Sequence, residues 1–322
     1  MSAARSVLVM TDRYDPTADL VVEELNRRDA PVFRFDTSEF PTALTVSAEL
    51  TGKQWRGRAR TARRSLDLDD ISGVYYRRPT AFAFPDGMSV EERRWANVQA
   101  RLGFGGLLAS LEPWLNHPHR IGYAEYKPVQ LRTAVAAGLL VPRTLVTNEP
   151  DTARAFVSEV GEAICKPFSG TTAVTDTEGP HQVFATRVTP EQAGDPSVAH
   201  SMHLFQQWVP KDYEVRLTVV DDQFFAARID ARTAAATVDW RADYHALDYT
   251  AVTTPKFVRT RVTELLRRLG LRFGAMDFVV APDGEWWFLE CNPNGQWAWI
   301  ETETVMPIAA ALADALEGRT TL

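Results

Sequence analysis

The chain has 322 residues, of which 45% are hydrophobic and 24% are charged, and its formal net charge is −7. This composition describes an ordinary globular protein with enough chain for two or three compact units, and the acidic balance argues against a general nucleic-acid binder, which needs a basic surface. The two cysteines give no disulfide framework and no apolar run reaches membrane-spanning length, so we expect a soluble protein of the cytoplasm.

The N-terminal part of the chain predicts an α/β unit. Residues 6–12 and 31–36 predict short apolar strands, and residues 15–28 between them predict a helix with Pro16 near its first position. A strand, a helix and a strand at this spacing form a βαβ unit. No glycine directly follows the first strand, which excludes a Rossmann-type dinucleotide site.

Two groups of arginines follow this unit. Residues 44–71 predict two or three short strands with polar turns. Their arginines are Arg56, Arg58, Arg60, Arg63 and Arg64. This basic run fits either a solvated hairpin face or a dock for an acidic or extended peptide at a sheet edge. Residues 72–79 predict a strand that ends in Arg77 and Arg78, at the carboxyl end where α/β sheets bind ligands, although a surface pair fits as well.

The middle of the chain predicts a second unit. A long helical pattern covers residues 90–115, and we place the first domain boundary just after it. The next helix starts at residue 126 and is closed by Gly138. A strand at residues 140–148 follows, and Asp151 is expected to cap the helix after it.

A candidate phosphate-binding loop comes next. Residues 163–168 predict a strand that carries Lys166, and Ser169 and Gly170 begin a loop of small polar residues. After a strand lysine, such a loop can cover a triphosphate with its backbone N–H groups.

The C-terminal part predicts an antiparallel sheet. Residues 204–210 and 211–220 predict strands, and residues 224–230 pair with the second of them across a short turn. Residues 255–270 predict a helix. A last hairpin, with Pro and Gly in its turn, lies within residues 275–299.

This last hairpin carries three candidate oxygen ligands. Side chains alternate faces along a strand, so Glu290 and Asn292 lie on one face. By the same alternation, Leu289 and Cys291 pack into the interior. If the hairpin pairs in register, Asp277 on the neighbouring strand lies within reach of Glu290 and Asn292. Two carboxylates and an amide oxygen are hard ligands, which Mg²⁺ prefers when it keeps some waters and also binds phosphates.

Several of these segments resemble one enzyme family. Asp277 and Phe278, with the later FLECNPNGQW, resemble the metal-binding end of the ATP-grasp ligases. More narrowly, the NPNGQW ending is similar to the ATP-grasp maturases of ribosomal peptides, that is, the graspetide synthetases or microviridin-type macrocyclases. The lysine, helix, glycine and VPRTLVTN of residues 126–148 resemble the opening of the central ATP-grasp lobe, and residues 204–210 resemble the hinge whose backbone reads adenine.

The resemblance implies an α/β and α+β chain with the ATP-grasp fold. An N-terminal pre-ATP-grasp α/β domain would span residues 1–118, a central lobe residues 119–208, and a C-terminal lobe with the metal site residues 209–322. ATP would lie between the last two lobes.

The resemblance also implies the residues that bind ATP and Mg²⁺. Those for ATP are Lys127, Lys166, Ser169, Gly170, Gln206, Gln207, Trp208, Val209 and Glu214. The two lysines offset phosphate charge, the hinge from Gln206 to Val209 holds adenine, and Glu214 accepts hydrogen bonds from ribose hydroxyls. Those for Mg²⁺ are Asp277, Glu290 and Asn292.

Three further residues are candidates for catalysis. A planar guanidinium binds a carboxylate or a phosphoryl group with two hydrogen bonds, so Arg216 and Arg241 can guide either group. Asp239 can take a proton from an attacking hydroxyl or can orient Arg241. Each of the three also fits an ion pair on a sheet face.

The implied reaction is ATP-dependent macrocyclisation of a ribosomally made precursor peptide, which has a leader that the protein recognises and a core that reacts. Asp or Glu side chains would be activated as acyl phosphates and joined to Ser or Thr hydroxyls as esters, or to Lys amines as amides. Neither nucleic acid nor a membrane is expected as a partner, and the resemblance is compatible with a homodimer. Two alternatives stay open, a carboxylate–amine ligase of the glutathione-synthetase or RimK type and a non-catalytic ATP-binding module.

Overall fold

The computed structural model describes residues 5–169, 173–176 and 179–319. Gly170, one of the residues predicted to bind ATP, lies outside them. Among the described residues, no helix is both long enough and apolar enough to cross a bilayer.

The N-terminal unit combines a parallel sheet with a small antiparallel one. Its elements are β1 (Ser6–Met10), α1 (Pro16–Arg27), β2 (Val32–Phe35), β3 (Thr45–Thr51), β4 (Gln54–Arg60), β5 (Ser65–Asp67), β6 (Ile71–Tyr76), α2 (Val90–Gln99) and α3 (Gly105–Ala109). β1 pairs in parallel with β2 and β6, while β4 pairs antiparallel with β3 and β5. The predicted βαβ unit and the short strands after it are therefore confirmed.

The long helix predicted after this unit is interrupted. A π-helical turn at Ala100–Phe104 separates α2 from α3, and the helix ends at Ala109 instead of near residue 115. Pro113 cannot continue a helix and disfavours helical backbone at the residue before it, which accounts for the end of the helix before residue 115. No side chain of α2 is buried.

The middle unit is built on a four-stranded antiparallel sheet. Its elements are α4 (Pro118–Ala124), α5 (Lys127–Ala136), β7 (Thr144–Thr147), α6 (Pro150–Val160), β8 (Ala163–Lys166), β9 (Ala173–Asp176), β10 (Gly179–Gln182), β11 (Thr186–Val188), α7 (Pro190–Ala193) and β12 (His203–Gln207). The strand order is β11–β8–β12–β7. Gly138 follows α5 with a φ of 84°, as predicted for a helix end, but Glu149 and not Asp151 is the N-cap of α6. Pro150 fixes the first helical position, where its missing N–H is not needed.

The C-terminal unit is a five-stranded antiparallel sheet in the order β15–β14–β13–β16–β17. Its elements are β13 (Tyr213–Val220), β14 (Gln223–Ala231), α8 (Ala234–Val238), β15 (Leu247–Val252), α9 (Lys256–Leu269), β16 (Phe273–Val280), β17 (Trp286–Asn292), α10 (Ala298–Thr304) and α11 (Ile308–Glu317). Leu217 and Met276 form a core with α9 on one face. Because side chains alternate along a strand, their neighbours Arg216 and Asp277 lie on the opposite face. The domain boundaries after residues 118 and 208 stay predictions.

A β-bulge in β17 changes which of its side chains face the site. Asp277 pairs with Glu290, but the next residue of β16 pairs with Phe288, so Leu289 is the extra residue of the bulge. As a result Leu289 and Glu290 line the same cleft, while Cys291 joins the core. The prediction that Leu289 packs inward like Cys291 is wrong, because the extra residue shifts the alternation.

We expect Gly73→Ala to destabilise the protein by about 1–3 kcal/mol. Gly73 lies in β6 against the backbone of α11, and a Cβ at this position would lie 2.8 Å from Leu316 Cα. Backbone atoms cannot rotate away as a flexible side chain can, so α11 would have to shift. The measurement is the melting temperature of the variant and the wild type, which should fall in the variant.

Gly106→Ala is the matched control for this prediction. Nothing lies within 4 Å of a Cβ at that helical position, and Ala has the higher helix propensity. Its melting temperature should equal or slightly exceed that of the wild type. An unchanged melting temperature for Gly73→Ala would contradict the close packing of β6 against α11.

Candidate active site

A cleft lies between the four-stranded sheet and the five-stranded sheet. The predicted site residues that line it are Lys166, Gln206, Gln207, Trp208, Val209, Glu214, Asp239, Arg241, Asp277 and Glu290. The fold therefore brings together side chains that lie far apart in the sequence.

The cleft also has apolar lining residues. They are Ile164, Ala185, Val238, Val279 and Leu289. These side chains offer apolar surfaces of the kind that a flat heterocycle such as adenine packs against.

The hinge segment uses most of its backbone donors within the protein. The N–H of Gln207 donates to the carbonyl of Arg143 at 2.8 Å. The N–H of Trp208 donates to the carbonyl of Glu162 at 2.8 Å. Val209 is the next residue and lines the cleft, and among the described residues its N–H has no backbone acceptor. Its role in binding adenine stays a prediction.

Glu214 lies beside the hinge and is only 7% exposed. The Lys211 ammonium donates to its Oε1 at 2.6 Å, so Oε2 is the oxygen available to a ligand. Burial raises the pKa of Glu214 to about 7, although Lys211 opposes the rise. The role of Glu214 as a ribose acceptor stays a prediction.

Lys166 lines the cleft and is 9% exposed. Its ammonium has a weak contact with Gln206 Oε1 at 3.4 Å. In the described part of the chain, no carboxylate lies within ion-pair distance of this ammonium. Burial lowers the pKa of Lys166, and the nearby Glu290 acts in the opposite direction. A desolvated cation of this kind gains an anion when a phosphate enters the cleft.

Asp277 and Glu290 face each other across β16 and β17, and each is held by a cation. Arg216 donates to Asp277 at 2.8 Å, and Lys127 donates to Glu290. Burial raises the pKa of Asp277, because Arg216 offsets the loss of solvent only in part. Burial acts on Glu290 in the same way, but Lys127 and the other nearby cations hold its pKa well below the usual range.

Asp239 and Arg241 form an ion pair with two hydrogen bonds next to these acids. Nε and Nη2 of Arg241 each donate to one carboxylate oxygen of Asp239 at 2.8 Å. Asp239 also accepts from the backbone N–H groups of Ala185 and Arg241. Burial opposes ionisation, yet these bonds lower the pKa of Asp239. With both oxygens occupied, Asp239 is better suited to orient Arg241 than to accept a proton.

The acidic pair fits a magnesium ion that takes its other ligands from waters and phosphates. Among the described residues, no group of three or more Asp, Glu, His or Cys side chains could hold a metal alone. Asp277 and Glu290 supply charged oxygens, and the Asn292 amide lies beside them, with Nδ2 3.5 Å from Glu290 Oε1. Mg²⁺ keeps several waters and takes oxygens from phosphates, so this small donor set is sufficient when a nucleotide is bound.

A second, larger groove meets the cleft at Glu290. Lys127 and Asn292 line the groove and both contact Glu290, which itself lines the cleft. Ser169, predicted to bind phosphate, lines the groove as well. The predicted site residues therefore lie on both sides of one acidic pair.

Two buried arginines hold the loop that follows β17. Arg216 donates to the backbone carbonyl of Gln296 at 2.9 Å in addition to its bond with Asp277. Arg77 donates to the Gln296 side chain at 2.6 Å and to the Asn294 carbonyl. Arg77 is only 1% exposed, so it is a structural residue of this loop and not part of a surface pair with its neighbour.

Two buried amides that the sequence analysis missed hold the same region. Asn116 donates to the backbone carbonyls of Phe273 and Pro293. Gln130 both donates to and accepts from the backbone of Cys291. A buried polar side chain needs partners, so an amide in an otherwise apolar segment is the sequence signal that could have identified them.

Comparison with known proteins gives matches for this fold. The family described as the MvdD pre-ATP grasp domain matches residues 6–122. No curated protein matches the chain. A RiPP-associated ATP-grasp ligase from Chryseobacterium gregarium, in complex with ADP and a leader and core peptide, is 25% identical with a TM-score of 0.89 over 98% of each chain.

Two further solved structures match over nearly the full length. The macrocyclase MdnC from Microcystis aeruginosa MRC, bound with precursor peptide MdnA, is 30% identical with a TM-score of 0.83, over 97% of this chain and 99% of that chain. The ATP-grasp ligase PsnB, complexed with a phosphomimetic variant of a minimal precursor, Mg and ADP, is 25% identical with a TM-score of 0.76 over 98% of each chain. These matches confirm the predicted fold.

The raised pKa of Glu214 predicts a pH-dependent stability difference. A carboxyl whose pKa is raised on folding contributes stability that is fully present below its ordinary value of 4.5 and is lost as the pH rises through about 7. Gln imitates the protonated form at every pH. We therefore expect the wild type to lose melting temperature relative to Glu214→Gln between about pH 5 and about pH 8 in the absence of nucleotide.

Glu264→Gln is the control for this titration. Hydrogen bonds from Arg267 and its neighbour Arg268 lower the pKa of Glu264 to about 2. Both its folded and unfolded values then lie below the tested range, so the difference between this variant and the wild type should stay constant. A constant difference for Glu214→Gln as well would contradict the raised pKa.

Proposed function

The chain belongs to the ATP-grasp ligases that mature ribosomally made peptides, and we propose that it closes rings in a precursor peptide with the use of ATP and Mg²⁺. The relatives that were solved with leader and core peptides support a peptide partner that has both parts. Neither nucleic acid nor a membrane has a role in this proposal. The proposed location is the cytoplasm, where the free thiols of Cys165 and Cys291 stay reduced.

We propose the pre-ATP-grasp domain at residues 1–118, the central lobe at 119–208 and the C-terminal lobe at 209–322.

The observation that carries the proposal is the meeting of the cleft and the groove at Glu290. A phosphoryl transfer needs the nucleotide on one side of the metal site and the phosphoryl acceptor on the other. The cleft is lined by the residues predicted to bind the nucleotide, and the groove, with a volume of about 1220 Å³, is large enough for an extended peptide. Lys127 and Asn292 connect the two spaces, because both line the groove and contact Glu290.

The reaction proceeds in two steps in this proposal. A carboxylate oxygen of a peptide Asp or Glu attacks the γ-phosphorus of ATP, and ADP leaves. A Ser or Thr hydroxyl or a Lys amine then attacks the acyl carbon, phosphate leaves, and the nucleophile loses its proton. Each ring therefore costs the peptide one water. Asp277, Glu290 and Asn292 would hold Mg²⁺, which would supply positive charge that offsets the charge of the phosphates.

The residues of the cleft have separate tasks. The N–H of Val209 donates to the adenine ring, and Glu214 accepts from ribose hydroxyls. Lys166 binds phosphate oxygens, because it is a buried cation of the cleft that has no ion-pair partner among the described residues. Arg241, oriented by Asp239, lies with Nη1 3.8 Å from Glu290 Oε1 and can stabilise the charge that develops on the transferred group.

Asp277→Asn and Glu290→Gln test the reaction. The substrate is a candidate precursor, a small peptide rich in Ser or Thr and in Asp or Glu whose gene lies beside this one. With ATP and Mg²⁺, the wild type should remove one water per ring, which intact mass spectrometry measures. Each variant should reduce the rate by at least about 100-fold, since removal of a charged group that stabilises the transition state costs several kcal/mol.

Glu285→Gln is the matched control, because Glu285 is an exposed acid in the same hairpin that lines neither the cleft nor the groove. It should react at the wild-type rate. A mass gain equal to an amino acid would indicate a peptide-extending ligase of the RimK type instead. Absence of ATP consumption with all candidate peptides would support the non-catalytic ATP-binding module.

We also propose a homodimer through α2. Trp95 is 67% exposed and forms an apolar stripe with Val98 on α2, which buries no side chain. Leu102, 61% exposed, continues the stripe on the π-helical turn that follows. Two copies that pack antiparallel about a two-fold axis would place the acidic start of one helix, at Glu91, near Arg101 of the other. This charge complementarity favours a second copy as the partner.

Trp95→Glu should convert the dimer to a monomer, because a buried charge at the two-fold axis has no partner. Sedimentation velocity at micromolar concentration measures the change. Tyr14→Glu is the control, since Tyr14 is also exposed but lies outside α2. A wild type that sediments as a monomer would contradict the proposed dimer.

A further inference from the structure

The groove has walls that suit a peptide. It lies between the end of β6, helices α4 and α5, and the loop after β17. Tyr126 and Met202 are largely exposed there, and Ile121 and Phe168 add apolar surface. Apolar walls of this kind pack against peptide side chains and leave the charged groups of the groove to decide which peptide binds.

The arginines of the cleft are already engaged by the protein itself. Arg216 donates one terminal nitrogen to Asp277 and the other to the carbonyl of Gln296. Arg241 donates to both carboxylate oxygens of Asp239. Arg216 therefore has both terminal nitrogens engaged, and Arg241 has its Nε–Nη2 edge occupied by Asp239 and its Nη1 3.8 Å from Glu290 Oε1.

Two of the cations that line the groove are engaged as well. Arg77 is buried and donates to Asn294 and Gln296. Lys127 donates to Glu290. Both therefore serve the loop and the acidic pair and do not face an incoming peptide with an unpaired charge.

Arg78 differs from these residues. It lines the groove and stays accessible to solvent, and within the described part of the chain its guanidinium has no ion pair. The groove walls remove part of its solvent, and together with the like charge of Arg77 this lowers the pKa of Arg78. A cation in this state gains free energy when an anion enters the groove.

We propose that Arg78 binds the carboxylate of an Asp or Glu side chain of the peptide in the groove and so selects acidic core sequences. This inference rests on the proposed function, because it names the part of the peptide that the groove reads. A guanidinium binds a carboxylate with two parallel hydrogen bonds, which a side-chain amide of Asn or Gln cannot match.

An acidic peptide fits the groove better than a polyanion does. Glu125 lines the same groove and would repel a nucleic acid or a polyphosphate. A single unpaired guanidinium beside an acid and several apolar side chains suits a ligand of mixed character. A peptide in which acids alternate with hydroxyl residues has this character.

The test compares binding of two synthetic peptides. Both carry a fluorescent label and contain Ser and Thr, and one has Asp and Glu where the other has Asn and Gln. Fluorescence anisotropy is measured with ADP and Mg²⁺ present, so that no reaction takes place. The wild type should bind the acidic peptide about tenfold more tightly than the amide peptide.

Arg78→Ala should bind both peptides with equal affinity, and Arg78→Lys should keep part of the preference, because a lysine keeps the charge but loses the two-bond geometry. Arg132→Ala is the matched control, since Arg132 is exposed on α5 and lines neither space. Unchanged ADP affinity in Arg78→Ala would show that the variant is folded. A preference in Arg78→Ala equal to that of the wild type, or no preference in the wild type, would overturn the proposal.

The two proposals fail in different ways. If the wild type removes water from the precursor while Arg78→Ala keeps its preference for acids, the ligase activity stands and the acid-binding role of Arg78 is wrong. If the wild type prefers the acidic peptide and Arg78→Ala does not, but the wild type consumes no ATP, the acid-binding role stands and the ligase activity is wrong.

Discussion

The ion pair between Arg216 and Asp277 is the interaction on which the rest of the site depends, because it joins the sheet, the acidic pair and the loop after β17. Arg216 is buried in the centre of the five-stranded sheet, and it donates to Asp277 and to the carbonyl of Gln296. The side chain of Gln296 accepts from Arg77 of the N-terminal unit. A buried charge without its partner is strongly destabilising, so the orientation of Asp277, the shape of the loop and the docking of the N-terminal unit are constrained together.

Much of this arrangement could be predicted from the sequence, because it follows from local patterns. The alternation of β13 and the turn chemistry of the last hairpin set which residues share a face, and the hairpin register places Asp277 opposite Glu290. The strand lysine Lys166 and the segment from Gln206 to Val209 come to line one cleft, as the family resemblance implies. Identifying these positions needed no knowledge of long-range contacts.

The remaining features could not be predicted, because they depend on contacts between distant segments. A bulge adds one residue to a strand without a distinctive sequence, so the inward position of Leu289 was a reasonable but wrong expectation. Arg77 and Arg78 are neighbours of the same type, yet tertiary packing buries the first under the loop and leaves the second in the groove. Asn116 and Gln130 bind backbone groups more than a hundred residues away.

The bulge at Leu289 also allows the shape of the cleft to change without a change in the position of Glu290. Leu289 lines the cleft, but as the extra residue of the bulge it has no pairing partner on β16. Its side chain can therefore be varied to change the shape of the cleft while the ladder continues to hold Glu290 opposite Asp277. In the proposed function, nucleotide binding and metal binding thus involve adjacent residues of one strand and remain open to independent change during evolution or in a mutant library.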